Sequence, residues 1–495
     1  MDGVVITARG WRKFVAQGGG RVLGNWSIYA LGGLLPHALS VLLLPIFTRY
    51  LSPHDYGVLA YTTMLASFFT IVGSLSIQTY VVRRYYDCRT SDETRHLFGT
   101  TFVFVGLYNV LLLAVAYATL PQVFRTLDVQ VPFSPYVELT LLSMVMDVVG
   151  LIPLAYFRAR ERAGVYVLLA VTPALLNSAL SVYLVVAQGM GLLGRYYGQL
   201  AAFALFLVVN CVIMTRIGRI SWRYSLIRDA LVFSLPLVPA QFIGVFVNMS
   251  DRLVLERFTP MDQLGTYSVG FGMASSAAMV MGGMYLAIQP MVFRLASESR
   301  LDTMILSVKR YILAVTMTVM CVVIALSQEL VKLLTAPAFH ESYKIGALLV
   351  IPIALQAFIT LVPSLYIVAM AKTRYETPIR STGALAGLVA MLILVPLLGT
   401  YGAAVASIIS ALVTLFTYHL VICRRSGVRL GLGRDVVLMG LACALGYGIL
   451  QLQSPLLLLT AAIKLVAIGA CVAVYLWKTA GALQLNPDVA VSRAP

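Results

Sequence analysis

Apolar runs of bilayer-spanning length leave this chain one kind of fold. A helix needs about 20 apolar residues to cross the hydrocarbon of a membrane. Fourteen runs of that order fall at about 23–47, 57–80, 98–120, 136–157, 164–187, 196–215, 231–250, 265–290, 309–328, 345–369, 380–398, 402–422, 436–452 and 456–477. Residues are 60% hydrophobic and 11% charged, against roughly 25% charged in soluble domains. No water-soluble core could hide so much apolar surface. The runs also exceed the ~9–11 residues of a barrel strand. The expected class is an all-α polytopic membrane protein with fourteen transmembrane helices.

The basic residues test that count. The net charge of +16 raises nucleic-acid binding as a possibility, but the charges fall in short clusters between the runs, which is how membrane topology is written. No nucleic-acid partner is expected. With both termini in the cytoplasm, alternate connecting segments are basic, for example Arg83, Arg84, Arg89 and Arg95, then Arg216, Arg219, Arg223 and Arg228. The bias is roughly four to one across the whole chain, and a miscounted helix would invert it from that point on. Residues 1–21 are polar and basic and lead into a run too long for a signal-peptide core, so no cleavage is expected. The six cysteines form no CxxC or Cys/His cluster, which leaves no metal site or disulfide framework to expect.

Local echoes recur at nearly one offset. Ile77-Gln78-x-x-Val81-x-Arg83 returns as Ile288-Gln289-x-x-Val292-x-Arg294, and Pro153-x-x-Tyr156 as Pro363-x-x-Tyr366. Arg49 to Gly57 maps onto Arg257 to Gly265, and Tyr197-Gly198 weakly onto Tyr401-Gly402. Each match is cheap alone; the shared order is not. The unit is six helices, and an even number preserves orientation, so the expectation is two parallel repeats. The expected organisation is a cytoplasmic segment 1–22, a first lobe 23–220 (helices 1–6), a second lobe 221–430 (helices 7–12), appended helices 13 and 14 over 431–478, and a cytoplasmic tail 479–495.

Two such lobes usually enclose a cavity near the membrane midplane, and transport follows from rocking one against the other. Polar residues inside the runs are the candidates to line it, because each buried charge costs ~2.5–3.5 kcal/mol or more. Asp147 is the most isolated. It either acts in transport or pairs with Lys464 or a backbone donor as helix glue; Lys464 itself is expected to snorkel toward the interface. His37 follows Pro36, where a broken backbone frees carbonyls. Asn177, Asn210 and Gln356 suit interhelical hydrogen bonds. The small residues around Gly270, Gly272, Gly282, Gly283, Gly383 and Gly387 either let helices pack closely or leave room for a cavity. No Walker loop, Gly-x-Ser-x-Gly, His-Glu-x-x-His or paired loop carboxylates occur, so neither enzyme activity, catalytic residues nor a cofactor is expected.

The run Arg49-Tyr-Leu-Ser-Pro-His-Asp-Tyr-Gly57 resembles a corner of the bacterial polysaccharide biosynthesis flippases of O-antigen type, in the multidrug/oligosaccharidyl-lipid/polysaccharide exporter superfamily. Asp251-Arg252-Leu-Val-Leu-Glu-Arg-Phe, followed by Gly265-Thr-Tyr267-Ser, resembles the same family's stretch at helices 7 and 8. The turn Thr259–Leu264 is longer than its N-terminal counterpart. The resemblance implies a flippase of the bacterial inner (cytoplasmic) membrane. It would move a polyprenyl-pyrophosphate-linked oligosaccharide between leaflets, for O-antigen, capsule or exopolysaccharide. Membrane lipids and a polysaccharide polymerase are the further partners it suggests. A cation-coupled multidrug antiporter of the same superfamily is the alternative.

A pyrophosphate head suits Arg, whose fork binds phosphate oxygens in pairs, and a sugar chain suits Gln, Asn and Asp. The candidate cavity set is His37, Gln78, Arg83, Asp147, Gln241, Asn248, Gln289 and Arg294. Arg83 and Arg294 stand at the inner mouth, with plain topology signalling as the competing explanation. Arg49, Asp251, Arg252 and Arg257 form the outer corner, a gate brace more than a ligand set, with Glu256 and Arg257 expected at the surface where charge is cheap.

Overall fold

The computed structural model describes residues 35, 38–297, 301–370, 373–426, 430–452 and 464. No strand is assigned among the described residues. Among the described residues, eleven helical segments are long and apolar enough to cross a membrane, and the protein is a multi-pass membrane protein. The expected run 265–290 lies inside a 37-residue helix, Met261–Ser297, outside those eleven. The run 456–477, apart from Lys464, and most of 23–47 lie outside the described residues. The chain divides into two compact units, Met1–Gly265 and Thr266–Pro495.

The first unit starts with α1 (Ala38–Tyr50) and α2 (Pro53–Ser74). Ser52 and Asp55 cap α2 reciprocally: the Asp55 amide donates to Ser52 Oγ at 3.2 Å, and the Ser52 amide to Asp55 Oδ2 at 2.9 Å. Two orphan amides are thereby satisfied. The expected run 57–80 is then broken. Leu75 and Ser76 both take left-handed backbone angles (φ 46° and 58°), a strained conformation for residues with a Cβ. The chain leaves this break in a new direction as α3 (Ile77–Tyr85).

Next come α4 (Ser91–Thr126), capped by Thr90, α5 (Glu138–Val149) and α6 (Leu151–Ala159), and α7 (Ala163–Val182) with α8 (Gly191–Ile217). At 36 residues α4 is about 54 Å long, well beyond the hydrocarbon. The unit's core joins α3, α4, α5 and α6 through Ile77, Val81, Phe98, Val148, Ile152 and Tyr156, with Phe98 edge-on to Tyr156 at 4.9 Å. After a linker come α9 (Tyr224–Ser234) and α10 (Val238–Phe258), and α10 packs along α2. Helix α11 (Met261–Ser297) starts in this unit.

The first turn of α11 meets the first turn of α2. A Cβ on Gly57 would overlap the Met261 carbonyl, and a Cβ on Gly265 would overlap the Pro53 carbonyl. Backbones approach this closely only where both copies of the echo carry glycine.

The second unit contains α12 (Leu301–Ala325), α13 (Ser327–Leu334), α14 (Ser342–Ile359), α15 (Leu365–Ala369), α16 (Glu376–Leu398), α17 (Thr400–Ser426) and α18 (Leu432–Leu450). Small residues set its closest pair. Gly383 and Gly387 of α16 face Thr414 and Ser410 of α17, and Ser410 Oγ donates to the Gly383 carbonyl at 2.8 Å. Gly270 is similarly filled by Ile345 and Gly346, whereas a Cβ on Gly272, Gly282 or Gly283 would face open space.

Two buried ion pairs tie the C-terminal region to this unit. Lys309 Nζ donates to Asp435 Oδ2 at 2.7 Å, joining α12 to α18. Lys464 Nζ donates to Glu329 Oε1 at 2.7 Å and to the Leu450 carbonyl at 3.3 Å. Lys464 is fully buried. It neither snorkels nor pairs with Asp147, because Glu329 on the short α13 offers it a carboxylate.

Candidate functional site

In the first unit, the end of α10 carries the Asp-Arg corner. Asp251 and Arg252 are buried. Arg252 Nη1 donates to Asp251 Oδ1 at 2.9 Å and to the Asn248 carbonyl at 3.2 Å. The two charges cancel locally, which is what makes their burial tolerable.

Glu256 is not at the surface. It is only 4% exposed, and its carboxylate accepts the Gln130 amide at 2.7 Å. The Gln130 side chain donates to the Glu256 carbonyl and, at 3.0 Å, to the Thr259 carbonyl. One glutamine thus closes the orphan carbonyls at the end of α10 while its own backbone anchors the carboxylate. Arg257 is exposed and donates to the Leu127 carbonyl at 2.9 Å. The corner is therefore latched by the turn 127–130, a short connection with no sequence signal for that role. Arg49 is exposed.

The candidate cavity residues of this unit lie on separate elements. Gln78 is half-buried and Arg83 exposed, both on the redirected α3. The Arg83 guanidinium lies 5.0 Å from the centre of the Phe233 ring of α9, so part of its surface is spent on a cation–π contact. Gln241 and Asn248 are exposed on α10, seven residues apart and so on one face. Asn248 Nδ2 donates to the Gly244 carbonyl at 2.7 Å. Asp147 is exposed on α5. His37 lies outside the described residues.

In the second unit, Gln289 Nε2 donates to Tyr285 Oη at 3.2 Å. The Arg294 backbone belongs to α11, and its side chain lies outside the description. The echoed motifs thus differ in setting: Gln78 and Arg83 follow a broken helix, Gln289 and Arg294 a continuous one. No group of three or more metal-ligating side chains exists among the described residues.

Arg195, which no sequence motif singles out, is the residue that stands out. It sits one turn into α8 and is half-buried. Its Nη1 donates to Asn177 Oδ1 at 2.7 Å and to Ser181 Oγ at 2.9 Å, both on α7. Its guanidinium lies 5.6 Å from the centre of the Phe47 ring. All of these partners are neutral. The hydrogen bonds orient the guanidinium without cancelling its charge. The available signal was Asn177 and Ser181 one helical turn apart, opposite a hairpin arginine.

The sequence matches the polysaccharide biosynthesis protein family over residues 46–344, more than half of the chain. The chain belongs to the polysaccharide biosynthesis protein family. No curated protein matches it in sequence. Solved structures match in fold. A lipid II flippase MurJ in an inward closed conformation is 12% identical with TM-score 0.71, covering 91% of this chain and 99% of its own. An inward-facing multidrug resistance MATE family transporter of the MOP superfamily is 13% identical with TM-score 0.64, covering 82% and 96%. A MOP superfamily transporter from Pyrococcus furiosus, described as having reverse polarity of its binding pocket, is 13% identical with TM-score 0.55, covering 80% and 94%. These neighbours are a flippase and two transporters, and at 12–13% identity the likeness is one of fold.

Proposed function

We propose that this protein is a flippase for lipid-linked oligosaccharides. It moves polyprenyl-pyrophosphate-linked glycan units across the bacterial inner membrane for cell-surface polysaccharide. The family supports the polysaccharide role, and Arg195 is the observation that favours an anionic cargo. A guanidinium oriented by Asn177 and Ser181 within an apolar hairpin has its charge left for a ligand, and phosphate oxygens match its fork. In this reading fourteen helices form two six-helix lobes plus two appended helices, with both termini in the cytoplasm. The lobes alternate access to a cavity lined by the polar set above, with Asp251 and Arg252 bracing a gate.

Deleting the gene in its host tests the proposal. Lipid-linked repeat units should accumulate facing the cytoplasm; unchanged surface polysaccharide with no such build-up would refute it. Asp147, an exposed carboxylate within a span, favours a second reading, a cation-coupled multidrug antiporter. Gradient-driven efflux of cationic dyes that is lost in Asp147→Asn would support that alternative instead.

A further inference from the structure

The linker between α8 and α9 is pinned to the start of α4. The Arg219 amide donates to the Arg95 carbonyl at 2.9 Å. Ser221 Oγ sits 2.9 Å from His96 Nδ1 and 3.0 Å from Thr100 Oγ1. Gly218 lies against Gly99. The linker residues Gly218 and Arg223 have extended backbone angles, and in an extended strap alternate side chains point to opposite sides. With Ser221 turned toward α4, Ile220, Trp222 and Tyr224 are left 72%, 57% and 73% exposed. The Trp222 ring centre is 6.3 Å from that of Phe104, one turn further along α4 into its apolar stretch.

Basic residues surround this apolar row. Arg95, Arg216, Arg219, Arg223 and Arg228 are all exposed. The acids at this end are fewer: Asp92 sits 3.7 Å from Arg219 and 3.4 Å from His96, and Glu93 and Asp229 are exposed. Topology alone requires only that a loop be basic. It does not require the loop to be fastened so that aromatic and aliphatic side chains project together beside the arginines. Tryptophan and tyrosine prefer the headgroup level of a bilayer, and clustered arginines attract anionic lipids.

We propose that the strap Arg216–Arg228 is a binding surface for anionic phospholipid headgroups. Ile220 and Trp222 enter the interface, and the arginines, Arg216 and Arg223 foremost, hold the phosphates. The surface belongs to the membrane leaflet on the strap's own side and is independent of what the protein transports.

The test uses the full-length protein with Trp222 as its sole tryptophan (Trp11→Phe, Trp26→Phe, Trp477→Phe), purified in detergent. Brominated phosphatidylglycerol or brominated phosphatidylcholine is titrated in, and Trp222 fluorescence is read. Quenching should half-saturate at a several-fold lower mole fraction of phosphatidylglycerol. Arg216→Gln with Arg223→Gln should erase that preference while leaving elution and melting unchanged, since both side chains are exposed and neither is in a hydrogen bond or ion pair among the described residues. In vesicles, shallow brominated lipids should quench Trp222 and aqueous acrylamide should not. Equal titrations with the two lipids would overturn the headgroup assignment, as would competition by millimolar inorganic phosphate, which would indicate a site for free phosphate. Full acrylamide access without bromolipid quenching would overturn the membrane surface altogether.

Discussion

Arg195→Gln should move stability and transport in opposite directions. The glutamine amide is long enough to keep a hydrogen bond to Asn177 or Ser181, the two acceptors that orient the guanidinium. What it removes is a half-buried positive charge whose partners are neutral. A charge at the centre of a membrane helix costs about 2.5–3.5 kcal/mol. Arg195 is one turn from a helix end and partly compensated, so the relief should be smaller, about 1–2 kcal/mol. The thermal unfolding midpoint in detergent should therefore rise. Transport loses a charge-assisted hydrogen bond to phosphate, worth about 1.5–3 kcal/mol, which is roughly a 10- to 150-fold loss of apparent affinity at 1.4 kcal/mol per decade. The assay is delivery of lipid-linked glycan to the outer leaflet in inverted vesicles, titrated in substrate, beside melting of the same preparation. Arg195→Lys should recover part of the affinity, since it restores charge without the fork. A variant that melts lower yet transports normally would refute the reasoning and make Arg195 a helix brace.

Three further outcomes follow from contacts in the fold. Lys309→Met should cost about 3–5 kcal/mol by stranding buried Asp435, and adding Asp435→Leu should restore most of it; additive losses in a thermal double-mutant cycle would contradict the pairing. Gly265→Val should sharply lower the yield of folded protein on size exclusion, because its side chain must displace the Pro53 carbonyl, whereas Gly272→Ala, facing open space, should be neutral. Arg83→Ala should impair transport more than Arg429→Ala at matched expression; equal effects would make Arg83 a topology charge.

The helices were legible because their apolar runs are nearly uninterrupted. What the sequence hid depends on distant partners or on backbone that side chains do not advertise. Leu75 and Ser76 are not residues that mark left-handed turns, so the break before α3 lay inside a smooth hydropathy signal. Glu256 read as a surface charge because its partner, Gln130, is 126 residues away. Lys464 read as a snorkelling lysine because Glu329 sits on a short helix between predicted spans. Arg195 carries no motif of its own, and only its two neutral acceptors distinguish it from a headgroup contact.

The close approach of α2 and α11 is reciprocal. Gly57 meets Met261 and Gly265 meets Pro53. Under the echo that matches Gly57 to Gly265, Pro53 corresponds to Met261, so each contact is the other with its partners exchanged. Reciprocity of that kind is the mark of an isologous interface between two identical chains. Here both halves of the contact lie within one chain, so each glycine answers to the backbone of the other helix, and a side chain at either position would push apart the same pair of helix starts.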